Sequence, residues 1–419
     1  MQNITQKWLR IILINLNVVA LIGIILRYKI AYSLPFFDQK HLLHSHSNFA
    51  FTGWITQTLL ILMVEYLFRH GQPQAYKKYV WYLSINLICA YGMLVGFALQ
   101  GYGPVSITFS SIAIFILYAF AISYWKDLNR IPTHSVTQKW FKAALVFNIL
   151  SSIGAFSLTL MMVNHVIHQN WYLASVYFFL HFQYNGWFFF VCMGLITERL
   201  LKLKIKASYN LIFRFFLFAC PPAYFLSALW LPIPWWIYGI VAIAAFLQVI
   251  AWGIFAGTIL KNAATVKSFF SKTVRNILLF SALALSIKLL LQLGSVYPPL
   301  SKLAFGFRPI VIAYLHLVLL GVISIFLLGY LLSGNLIRIN RMTIVGIFIF
   351  IGGIFINEIL LMLQGITAIT YDMIPYGNEM LLAIAIIMFV GLVIMNLGQI
   401  HQVEHPILVQ RMVNIKKEE

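Results

Sequence analysis

Apolar residues in this chain gather into long, nearly unbroken runs separated by short polar connectors. About twelve such runs are read, near 9–30, 47–68, 79–99, 107–124, 141–163, 171–196, 209–230, 233–258, 275–296, 308–333, 342–364 and 379–400. A hydrocarbon core about 30 Å thick takes about 20 residues of helix, so each run predicts one transmembrane helix. The connectors are too short for a soluble domain. Residues 1–419 are therefore expected to form a single transmembrane helical domain, all-α in class. Pro221-Pro222 and the Pro232 and Pro234 pair break or bound runs seven and eight. Trp230, Trp235 and Trp236 gather at the same boundary, as in an interfacial aromatic belt.

Composition strengthens this picture. Of 419 residues, 62% are hydrophobic and 9% charged, against about 25% charged in soluble domains. Soluble enzymes, disordered chains and disulfide scaffolds are excluded. Cys89, Cys192 and Cys220 all fall in apolar runs and are too few for a disulfide framework or a Cys-ligated zinc. The net charge of +19 would suggest nucleic acid in a soluble protein. Its placement gives another reading. With the N-terminus in the cytoplasm, 23 of the 29 basic residues fall on the inner side, at the N-terminus, in inner connectors or in the C-terminal segment. That is the positive-inside pattern, which predicts N-in/C-in topology in a bacterial inner membrane and requires no nucleic acid. Run one is preceded by basic residues and followed by no small-residue cleavage site, so it is read as a retained anchor.

Function is sought in polar groups placed inside the membrane, because burying them is costly. Of eleven histidines, His70, His134, His401 and His405 belong to the inner side, and His41, His165 and His168 to outer connectors. His401 and His405 are four apart, a spacing that can hold a metal on a helix, but solvation explains them as well. His46, His181 and His316 are different: they fall near or within runs two, six and ten, all of which run from outside to inside. At 1.5 Å per residue, His181 and His316 lie roughly 12–15 Å below the outer ends of their helices. Imidazoles on facing helices are how bundles hold heme. Gly53, seven residues after His46, is expected to leave room for a flat macrocycle. Tyr177, Tyr184 and Asn185 form one polar stripe with His181. The bland reading is that each histidine only bonds a neighbouring helix.

With about twelve helices and membrane histidines on helices two, six and ten, the chain resembles subunit I of the heme–copper oxidase superfamily, nitric oxide reductases included. His46-Ser47-Asn48, followed by Phe49 and Gly53, is similar to the helix-two stretch of cbb-type oxidases. The resemblance implies that His46 and His316 are axial ligands of a low-spin heme and that His181 is a copper ligand with Tyr184 and Asn185 beside it. It also implies an oxidoreductase of the cytochrome oxidase or nitric oxide reductase type. Two departures leave the dinuclear centre incomplete. Tyr314 stands where the family has the first histidine of helix ten, and helix seven has no histidine. The chain is also similar to the heme- and copper-containing membrane proteins linked to nitric oxide stress. There His44-Ser45-His46 with Phe49 matches the start of helix two, and His316 to Gly321 matches a later motif, giving His44 a metal-ligand role.

The expectation is thus a b-type heme, since no C-x-x-C-H is present for covalent attachment, with copper as a second metal. Its chemistry would be redox or concern a diatomic gas, NO or O₂. The connectors hold no cytochrome domain, so the electron donor would be a separate protein or another membrane subunit. The alternative from a different class is a proton-coupled secondary transporter, in which Lys288 and Glu358, inside runs nine and eleven, pair with one another. Against it, the two halves of the chain show no repeat and no matched pair of interrupted helices.

Overall fold

The computed structural model describes residues 2–132, 135–166, 168–301, 307–369, 372 and 374–400. His134, His401 and His405 lie outside them. Among the described residues there is no strand. In chain order the helices matching the apolar runs are α1 Gln2–Ala31, α2 Gln39–Arg69, α3 Ala75–Gln100, α4 Pro104–Asn129, α5 Val136–Val163, α6 169–202, α7 Tyr209–Ala219, α8 Trp235–Lys261, α9 Lys272–Gly294, α10 Arg308–Ser333, α11 Arg341–Ile369 and α12 Gly377–Ile400. Ten are long and apolar enough to cross a membrane. The other two are α6, whose first half carries the His181 polar stripe, and α7, which is short. After α7, Pro221 and Pro222 supply no N–H, and the chain tightens into a 3₁₀ turn over Pro222–Ser227.

The bundle wraps around α2. Its most apolar stretch is 89% buried, against 28–50% in the other nine. Elsewhere large side chains such as Leu99, Phe218 and Leu279 face outward, as they would toward lipid. The first and last helices pack together, and Asn396 Nδ2 donates to the Leu13 carbonyl at 3.3 Å. Leu13 lies toward the start of α1 and Asn396 toward the end of α12, so those two ends meet at one end of the bundle.

Helix starts and turns set the register of the polar residues. Asp38 caps α2, accepting from the backbone N–H groups of Lys40 at 2.8 Å and His41 at 3.0 Å. These bonds, that of His41 foremost, hold its carboxyl below the usual range. Between α3 and α4 the chain turns at Gly101, whose φ of 61° suits glycine, and Pro104 opens α4. At one end of the bundle acids pair with bases: Asp127 with Lys78 (2.5 Å) and Arg130 (3.1 Å), Glu65 with Arg69 (2.7 Å), and Glu198 with Lys202 (2.6 Å).

α11 and α12 approach so closely that glycine is required. A Cβ on Gly346 would lie 2.4 Å from the Gly391 carbonyl oxygen and 2.5 Å from the Met395 nitrogen. Small residues at such crossings are what let membrane helices pack backbone to backbone. Gly346→Ala is expected to destabilise by about 1–3 kcal/mol, because backbone atoms cannot move aside as a side chain would. Gly352→Ala, where nothing lies within 4 Å, should leave the thermal midpoint unchanged. Unfolding curves of the two variants in detergent check this contrast.

Candidate functional site

Three helices widen into a π-helical stretch, and they are the three that carry the singled-out histidines. These stretches are Ala50–Thr56 in α2, Phe182–Phe188 in α6 and Leu317–Ser324 in α10. His181 and His316 stand immediately before theirs, and His46 stands one turn before its own. Such bulges often accompany functional sites, because they re-aim side chains and free backbone groups. The three stretches also join at the centre. Trp54 Nε1 donates to Ser324 Oγ at 2.9 Å, and Trp187 Nε1 to Thr56 Oγ1 at 3.4 Å. Both indoles are almost wholly buried. Tyr184 of α6 meets Tyr314 of α10 edge to face at 6.3 Å.

His46 and His316 lie within electrostatic reach of one another. His316 donates from Nδ1 to the Ile312 carbonyl one turn back, at 2.9 Å. That bond fixes the tautomer and leaves Nε2 with its lone pair free. His46 lies against α1, with its Cε1 3.4 Å from where a Cβ on Gly23 would stand. Its Nδ1 is buried and has no hydrogen-bond partner. His316 thus uses one nitrogen on backbone, the arrangement that orients histidine ligands of a metal, and His46 keeps a buried nitrogen available.

Arg27 of α1 is within electrostatic reach of both histidines and of Glu358 on α11. It also lines a cavity of about 500 Å³, together with Lys29, Gln39, Arg308, Gln364 and Asn378. Ile312, whose carbonyl holds His316, is part of the same wall. Three cations and three amides line this cleft with no carboxylate among them, so it suits an anionic group. The size is within the range of small-molecule and cofactor sites.

His181 has a different setting. It is fully buried, and its Nε2 donates to the Cys220 carbonyl at 2.8 Å. Asn185 Nδ2 then donates to Nδ1 at 3.1 Å. The Cys220 carbonyl is available because Tyr224 N–H, its partner in a continuous helix, bonds Pro221 in the 3₁₀ turn. Both ring nitrogens are therefore engaged, and His181 repairs the break in α7. His44 turns away from His46 and packs edge-on against Tyr102 at 4.6 Å. Among the described residues, no three His, Cys, Asp or Glu side chains lie close enough to share a metal.

Two expectations need correction. Gly53 does not open space for a macrocycle: the Phe49 ring lies 2.8 Å from where its Cβ would be, and its carbonyl accepts from Asn15 at 2.6 Å. The glycine that faces a candidate ligand is Gly23. Lys288 and Glu358 do not pair. Glu358 accepts from Asn357 at 3.1 Å and faces Arg27, while Lys288 is buried beside Cys220 and His181. Arg27 falls inside the first apolar run, and a charge inside such a run is itself a signal.

No family model and no curated protein sequence matches this chain.

Proposed function

We propose that the chain is a b-type heme protein of the bacterial inner membrane, with twelve spans, both termini in the cytoplasm and redox work as its role. The observation that carries this is the matched state of His46 and His316. On neighbouring helices, each keeps a ring nitrogen uncommitted, Nδ1 of His46 and Nε2 of His316. Between them they would supply both axial ligands of one heme. A bound heme supplies a one-electron centre whose potential follows its axial ligands and surrounding charge.

The remaining residues have definite tasks. The Ile312 carbonyl orients His316, and the Gly23 face of α1 lies against the His46 ring. Gly23 keeps α1 close to the His46 ring without crowding it. Arg27, Lys29 and Arg308 fit the two carboxylates of a b-type heme, and Gln364 and Asn378 offer amide donors. Arg27, within electrostatic reach of both histidines, would favour the reduced state of a bound heme, since added positive charge opposes the ferric form. Filled axial positions favour electron transfer over binding of NO or O₂, so the electron partner would be a separate protein. Copper has no place in this reading, because His181 is engaged at both nitrogens and His44 lies elsewhere.

The test is an oxidised and dithionite-reduced absorption spectrum of the purified protein, with iron analysis on the same sample. One iron per chain and a sharp reduced α-band, unmoved by CO, are expected. Protein without iron or a Soret band, after expression with ample heme, would sink the proposal and turn attention to proton-coupled transport.

A further inference from the structure

Lys288 is buried in α9 within the bundle, and among the described residues no carboxylate pairs with it. Beside it is a void of about 10 Å³, lined by Lys288, Asn185, Gln248, Cys220 and the rings of Phe189, Phe190 and Phe216. That is room for one water-sized particle. The groups around it are an ammonium, two amides, a thiol and three aromatic rings, whose edges carry partial positive charge. The titratable neighbours are His181, already bonded at both nitrogens, and Cys220, which is buried. Gln248 is also buried, reaching the void from α8.

We infer that this void binds one small inorganic anion of the chloride class, held by the Lys288 ammonium and the amides of Gln248 and Asn185. A lone ammonium inside a membrane bundle is costly, and a counter-ion in a low-dielectric site offsets that cost strongly. A metal cation is disfavoured by Lys288, and a polyatomic organic acid exceeds the space. The site lies among α6, α8 and α9 and the break after α7. It does not rest on the heme reading and stands or falls separately.

Equilibrium dialysis of the full-length protein in detergent against radioactive chloride tests it, with gluconate, too large for the void, as the balancing anion. Saturable binding of one chloride per chain is expected, with a higher thermal midpoint in chloride than in gluconate. Lys288→Met should abolish both effects. Gln248→Leu, which keeps the charge, should weaken binding by about tenfold, and it carries the test if the methionine variant fails to fold. Absence of saturable chloride binding in the wild type would overturn the inference, as would unchanged binding in Lys288→Met. An amine held neutral beside one water would give the first of these results.

Discussion

His46→Ala and His316→Ala are each expected to abolish the low-spin spectrum of the bound heme. Both axial positions are filled in the proposed site, and removing either ring leaves iron with one strong protein ligand. The α-band should broaden, the Soret band should shift, and CO, excluded from the wild type, should now bind. Added imidazole should restore the low-spin spectrum in part, because alanine leaves space where the ring stood. The two variants should differ in folding. His316→Ala frees the Ile312 carbonyl, which belongs to a helical turn and keeps backbone partners nearby. His46→Ala opens space against the Val19–Gly23 face of α1. Tyr314→Phe, two residues before His316 but facing Tyr184, is the control and should leave the spectrum intact. Unchanged low-spin heme in both histidine variants would remove them as ligands.

How much of this was legible depended on whether a signal was local. Helix positions were, because burial in lipid imposes twenty-residue apolar runs. The predicted runs match α1 to α12 apart from the break after α7 and the start of α2. That helix begins at Gln39, eight residues before run two, and so takes in His44 and His46. The candidate ligands were also legible, since a histidine in such a run stands out. Their partners were not. The partner of His181 is a carbonyl 39 residues away, freed by a proline pair whose effect on neighbouring helices has no sequence signature. Lys288 and Glu358 looked complementary by charge and depth, but which faces they occupy depends on helix rotation. The π-helical stretches add one residue to a turn, too small a change to disturb apolar periodicity in α2, α6 or α10. Their recurrence every fourth helix therefore escaped a search for two-fold repeats. Arg27 was less legible, because a charge three residues from the end of a run looks like a connector residue.

The same contrast predicts that His181 matters for folding and not for metal content. His181→Leu removes the donor to the Cys220 carbonyl and the acceptor of the Asn185 amide, leaving both buried groups without their partner. Each such group costs about 1–3 kcal/mol, so a total loss of about 2–6 kcal/mol is expected. The upper end applies if no water enters to replace the ring. Phe182 and Tyr224 flank the ring at 5.0 and 6.1 Å, but the void lined by Asn185 and Cys220 could admit one, which would bring the loss toward the lower end. His181→Gln keeps a donor and an acceptor on a flexible side chain and should recover part of the stability. Thermal unfolding gives the stability, and iron per folded chain separates the two roles. A structural His181 predicts a lower midpoint in His181→Leu, with iron in the folded fraction unchanged and copper absent in both forms. If the midpoint held while a metal was lost, His181 would be a ligand, and the bond to Cys220 would give way when the metal binds.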